Sequence, residues 1–194
     1  VLNLLHGRYG EDGYIQAILE IEKVKYTHSG VLSSCLAIDK ELSKKIFTKH
    51  NILTPKYLIF SYRKFENKKN IIKTLNNKIG FPLIIKPINE GSSVNVYITE
   101  MKDLSKILNK LKNYKKIMIE QFIDGREIQV AIMGDKKLGA IELKPKRKFY
   151  DYQAKYDSKA QTKHIIPVEL PKFKFNQLMN LALKAHKIIG CRGV

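Results

Sequence analysis

The chain has 194 residues, 44% hydrophobic and 28% charged, which suits one domain and a half at most, of a globular kind that can bury a core. No apolar run reaches the roughly 18 residues of a membrane span, no secretory signal is expected before Val1, and two cysteines, Cys35 and Cys191, are too few for a disulfide framework, so a cytoplasmic location is expected. The net charge is +18, yet only five of the 36 basic residues are arginine, and lysine is spread among asparagine and isoleucine, which favours a compositional habit over a nucleic-acid partner. Val1 to Leu5 is expected to be a buried parallel strand, followed by the glycine loop His6 to Gly13. Tyr14 to Val24 has helical spacing, with Ile15, Ile18 and Leu19 apart from Glu22. Tyr26 to Gly30 is extended. Leu32 to Asn51 is predicted as one helix with Ile38, Leu42, Ile46 and Phe47 on its inner face, stopped by Thr54-Pro55.

A second pattern begins there. Lys56 to Ser61 is a predicted strand, Asn70 to Ile79 a helix ended by Gly80, and Pro82 to Pro87 a strand. The loop Asn89 to Ser93 leads to a strand at Val94 to Ile98, then a helix at Lys102 to Leu111 and a strand at Lys116 to Ile123. Asp124-Gly125 signals a turn. Arg126 to Met133 and Leu138 to Leu143 pair across Gly134-Asp135, and Phe173 to Ile189 is the last helix. Lys144 to Ile166 has no period, and a long stretch of that kind is either functional or disordered.

Several positions carry chemistry. Lys86 ends an apolar strand beside Glu90-Gly91-Ser92-Ser93, which suits an anion site of ammonium, hydroxyls and loop N–H groups; a lysine snorkelling to solvent is the alternative. Lys40, after Asp39 on a helix, is open to the same two readings. Glu120 follows Ile117-Met118-Ile119, where a buried carboxylate is costly without a partner, so it is either exposed or meets a donor from a ligand. Glu127 opens the next strand, and the two carboxylates could take a base amino group and ribose hydroxyls. His6 sits where open α/β sheets bind ligands, or is structural. The aromatic run Phe149 to Tyr156 is a lid or an apolar patch.

The order of these features is more specific than any one of them. His6-Gly7-x-x-Gly10-Glu11-Asp12-Gly13-x-x-Gln16, Asp39-Lys40, Lys86-Pro87 with Glu90-Gly91-Ser92-Ser93-Val94, Ile119-Glu120, Glu127, and Tyr150-Asp151-Tyr152-x-Ala154-Lys155-Tyr156 together resemble the D-alanine–D-alanine ligase family of the ATP-grasp superfamily, from residue 1 to residue 194. The resemblance implies an ATP-grasp fold, mixed α/β and α+β. A remnant of an N-terminal α/β domain would occupy residues 1–30, a central subdomain 31–123 and a truncated C-terminal subdomain 124–194. It implies an ATP-dependent ligase that joins two D-alanines for peptidoglycan through an acyl phosphate. By the family's pattern Lys40 and Lys86 hold phosphates. Glu120 meets the adenine amino group, with Gln121, Phe122 and Ile123 along the adenine edge, and Glu127 takes the ribose. Ser92 and Ser93 line the phosphate loop and substrate pocket, and His6 sits by the reacting groups. Lys155 and Tyr156 come in on a mobile loop, toward the transferred phosphoryl and the second D-alanine. Such a lid suits an acyl phosphate, which water would hydrolyse.

Asn95 stands where the family has glycine, and asparagine is the next most tolerant residue of a left-handed backbone. The family's magnesium ligands and an assisting arginine are expected beyond Val194, and its glycine-rich first turn before Val1. A fragment cut at both ends is therefore expected, inactive alone, from a full-length protein that forms a homodimer. No metal ligand is expected within the chain. The rival expectations are an ATP-grasp ligase for another carboxylate and amine, and a basic polyanion-binding module.

Overall fold

A computed structural model describes residues 1–61, 68–145 and 162–193. In chain order these form α1 (Tyr14–Ile21), α2 (Val31–Ile38), α3 (Lys40–Lys49), β1 (Tyr57–Ser61), α4 (Lys68–Lys78), β2 (Leu83–Pro87), β3 (Tyr97–Thr99), α5 (Leu104–Lys110, entered through a 3-10 turn at Met101–Asp103), β4 (Lys116–Gln121), β5 (Glu127–Met133), β6 (Lys136–Lys144), β7 (Lys163–Ile165) and α6 (Lys172–Ile189). Two antiparallel sheets result, one of order β1-β4-β2-β3 and one of order β5-β6-β7.

The first sheet is apolar on one side because side chains alternate along each strand. Leu83 and Ile85 of β2 and Ile117 and Ile119 of β4 join Leu75, Leu104, Ile107 and Leu111 of and beside α4 and α5 in one core. The opposite face carries Ile84, Lys86, Met118 and Glu120. Register sets Tyr57, Glu120 and Ile84 in one row across β1, β4 and β2. Burial on both faces explains why β2 and β4 read as continuous apolar runs rather than alternating ones.

Helices α2, α3 and α6 pack together, and α6 also rests on β5 and β6. The chain's two ends are joined here. Ser33 Oγ donates to Gly190 O at 2.6 Å, Arg192 Nε to His28 O at 3.2 Å and Arg192 N to Ser29 Oγ at 3.3 Å, with the guanidinium 5.1 Å from the centre of the Tyr26 ring. No helix among the described residues is long and apolar enough to cross a membrane.

Several sequence expectations need correction. Val1 to Leu5 is not a strand. Its backbone meets residues 25–27 through Val1 N to Lys25 O, Thr27 N to Val1 O and Asn3 N to Thr27 Oγ1, too few and too irregular for a ladder, and Val1, Leu2, Leu4 and Leu5 are 58–70% exposed. A parallel strand needs cover on both faces, and no described residue supplies it. The single helix expected over 32–51 is two helices. Asp39 adopts an extended backbone (φ −80°, ψ 104°), and its carboxylate accepts from Glu41 N and Leu42 N, capping α3. The expected inner face also shifts: Leu42 is 42% exposed, while Ser43 and Lys44 are buried. In α1 the buried side chain is Gln16, and Ile18 is exposed. The strand expected at Val94 to Ile98 is displaced to Tyr97–Thr99, because Val94 N closes a turn onto Gly91 O at 3.0 Å. Within the patternless stretch, Lys163–Ile165 pairs with β6; three residues are too few to show a period.

Candidate functional site

Two adjoining cavities open on the polar face of the first sheet, of about 850 and 810 Å³, sharing Ile84 and Glu120. The smaller is lined by His6, Lys40, Lys86, Ser92 and Ser93, the larger by Gln121, Phe122, Ile123 and Glu127. All ten described site candidates thus border one continuous cleft with Glu120 at its waist. Lys155 and Tyr156 lie outside the described residues.

Strand alternation places Lys86 and Glu120 on the same face, two residues apart in register across β2 and β4, within reach of a long side chain. Glu120 is 6% exposed. It is not exposed: Lys86 Nζ hydrogen-bonds Oε1, and Lys44 Nζ forms an ion pair 2.6 Å from Oε2, an oxygen with no hydrogen-bond partner among the described residues and so open to a further donor. Lys44 was not legible as a site residue, although a signal existed. It lies four positions after Lys40 on one helix and therefore on the same face.

Asp39 caps α3 and so fixes Lys40 at its first turn. Lys40 N donates to Ile88 O at 3.0 Å, and Nζ reaches Glu90 O at 2.5 Å. Burial, reinforced by the neighbouring Lys86 charge, pushes the Lys40 ammonium down to about 8, against the opposing pull of Glu90, Asp39 and Glu120. Two half-buried ammonium groups that disfavour each other favour an anion between them.

The Glu90–Asn95 loop turns over this cleft. Ser92, Ser93 and Asn95 all have positive φ (48°, 58° and 55°), and Asn95 is held by hydrogen bonds with the Tyr114 and Tyr97 hydroxyls. The expectation that asparagine would support this backbone at 95 therefore agrees with the structure. Non-glycine residues at positive φ cost of order 1–3 kcal/mol each and cluster at ligand sites.

The His6–Gly13 loop meets it. Glu11 accepts from Gly7 N, and its carboxylate would lie 3.2 Å from a Cβ at Gly91. Gly10 O accepts from both Asn3 Nδ2 and Gln16 Nε2 at 2.8 Å, tying the loop to α1. Gly13 enters α1 at φ 95°, a backbone other residues rarely adopt, and a Cβ there would lie 2.4 Å from Cys35 Sγ, so a larger residue would be strained and would displace that thiol. At the far end of the cleft Arg126 grips Glu142 by Nε (2.8 Å) and Nη2 (2.5 Å) and reaches Glu169 O, which holds the Glu142 carboxyl below its usual range. Among the described residues no three His, Cys, Asp or Glu side chains converge as a metal site.

Two antiparallel sheets meeting at a lysine-lined cleft are the ATP-grasp fold, and the solved relatives share it. The crystal structure of D-alanine–D-alanine ligase from Bacillus anthracis superimposes with a TM-score of 0.82 at 35% identity, over 98% of this chain and 61% of that one. The same organism's enzyme complexed with ATP gives 0.80 at 28%, over 99% and 60%. A family model described as the D-ala D-ala ligase C-terminus matches residues 46–194. The chain belongs to the D-alanine–D-alanine ligase family. A relative of that name from Pelagibacter ubique is 60% identical over all 194 residues, and the chain spans 63% of its length.

Proposed function

We propose that this chain carries the nucleotide-binding part of a cytoplasmic, homodimeric ATP-dependent ligase that joins two D-alanines into D-alanyl-D-alanine for peptidoglycan synthesis. Residues 1–30, 31–123 and 124–194 would be parts of an N-terminal domain, a central subdomain and a C-terminal subdomain. One observation carries the reading: Lys40 and Lys86 line one side of the waist formed by Glu120, and Glu127 lines the other. The residues fit ATP. Two ammonium groups suit phosphates, and backbone from Gln121 to Ile123 beside Glu120 suits a purine with its amino group. Gln121 N and Phe122 N are engaged by Lys56 O and Pro82 O, so strand hydrogen bonds hold this edge in place.

ATP supplies the phosphoryl group that activates the first D-alanine's carboxylate, and magnesium would accompany it with protein ligands beyond Val194. Phosphoryl transfer asks mainly for position and positive charge, which Lys40 and Lys86 provide. His6, Ser92 and Ser93 border the same cavity and would orient the reacting groups. Lys155 and Tyr156 would close over them, Tyr156 toward the second D-alanine.

The test is an assay of the complete gene product containing this chain with ATP–magnesium, D-alanine and competing D-lactate at neutral pH. ADP release with D-alanyl-D-alanine as main product is expected. Predominant ester product would overturn the substrate assignment, and absence of ATP binding would overturn the reading as a whole.

A further inference from the structure

Lys44 lines neither cavity, yet it is 8% exposed, the more deeply buried of the two lysines on Glu120. Its ammonium has three fixed neighbours: Glu120 Oε2 at 2.6 Å, Pro55 O at 2.9 Å and the Tyr57 ring, whose centre is 4.6 Å away. Lys86 differs. Its side chain is 19% exposed and borders the cavity, and among the described residues its partner is Glu120 Oε1. One carboxylate is thus matched by two lysines, which leaves a surplus positive charge at the waist of the cleft.

Accepting the nucleotide reading above, we infer that Lys44 is a positioning residue: it is the standing counter-ion of Glu120, and it lets Lys86 pass from that carboxylate to an entering phosphate. An ammonium held by a carbonyl, a carboxylate and a ring face cannot follow a ligand, whereas one with a single partner beside open space can. If Lys44 were absent, the departure of Lys86 would strand a buried carboxylate, and such a charge is strongly unfavourable. Glu120 would then detain Lys86, and the phosphate would lose a charge-assisted hydrogen bond. The balance at Lys44 agrees. Burial pushes its ammonium down, Glu120 opposes the fall, and the Lys86 charge adds to it. The like charge on Lys86 therefore weakens Lys44 until Lys86 moves away.

A double-mutant cycle on the complete gene product tests this, with ATP affinity read by calorimetry and folding by cooperative thermal unfolding. Lys44→Met should weaken ATP roughly tenfold, about 1.4 kcal/mol, in the otherwise natural protein. In the Glu120→Gln background Lys86 is already released, and the same change should cost less than about twofold. Lys44→Arg should retain most of the affinity. A simple loss of field from one cation predicts the same factor in both backgrounds, and that result would overturn the inference. If Lys44→Met does not fold, Lys44→Gln is measured in both backgrounds and judged by the same two factors. Natural protein that binds no ATP would instead overturn the nucleotide reading itself.

Discussion

The two faces of the four-stranded sheet come from the same strands and do opposite things. On one, Leu83, Ile85, Ile117 and Ile119 meet helices α4 and α5 with nothing but hydrocarbon. On the other, one residue out of phase, Lys86 and Glu120 stand with Lys44 behind them and Lys40 nearby. The first face gains from leaving water. The second buries charges whose attraction about offsets their desolvation, so it adds little stability. What it gains is a fixed arrangement of charge, and the apolar face is what allows that arrangement to be held.

The comparison can be broken first on the apolar side. Leu83→Ala should lower unfolding stability by ~2–5 kcal/mol, read by denaturant titration, because it empties a fully buried site. At temperatures where the variant stays folded, ATP affinity should be near that of the natural protein. A large loss of affinity there would mean that the two faces are not separable. Lys86→Ala should do the reverse, costing ~1.5–3 kcal/mol of ATP binding by calorimetry while moving the unfolding midpoint less than Leu83→Ala does. Lys86→Arg should rescue it only in part, since a planar fork differs from a point charge. Unchanged ATP affinity in Lys86→Ala would reduce that side chain to a structural partner of Glu120.

Asp39→Ala removes the cap that sets where α3 begins, and a stability loss of ~1 kcal/mol is expected. Because α3 carries both Lys40 and Lys44, ATP affinity should fall with it; loss of stability alone would show that the cap does not place the lysines. The smallest effect is on protons. Lys40 holds its proton to about pH 8 in the folded chain instead of the ordinary 10.5. Between those values the unfolded chain binds more protons, so this group's contribution to stability rises with pH across that window. Bound phosphate would restore the proton. ATP binding near pH 8 should take up roughly half a proton, seen by calorimetry in buffers of different ionisation enthalpy, and affinity should decline above that pH. No dependence on buffer would remove Lys40 from the phosphate contact.

What was legible in the sequence was local. β2, β4 and α6 fall within about two residues of where apolar runs and glycine or proline stops place them, because those signals act over a single element. The candidate site residues were chosen by their order, and ten of them line one cleft in the structure, which is a statement of place and not of role. The break at Asp39 was not legible, since Ile38 and Leu42 continue a helical period and only the extended backbone at Asp39 interrupts it. Lys44 was missed for a related reason. A lysine on a mostly polar helix looks solvated until the sheet that covers it, and Glu120 from 76 positions later, are in place. Val1 to Leu5 fails the other way: its composition asks for a sheet that no described residue provides.

The bonds from Gly190 and Arg192 to residues 26–33 set an order of events during synthesis. They connect positions 157 to 164 residues apart in the chain. On a ribosome, the segment around Tyr26 to Ser33 emerges long before its partners exist, so that corner cannot close until residue 192 has been added and has left the exit tunnel. Closing so long a loop also carries an entropic cost that shorter contacts in the β1-β4-β2-β3 sheet do not share. The corner should therefore be the last to gain protection in refolding followed by pulsed hydrogen exchange, with the Arg192 amide trailing those of β2 and β4. Early protection there would show that the ends find each other before the sheet is built.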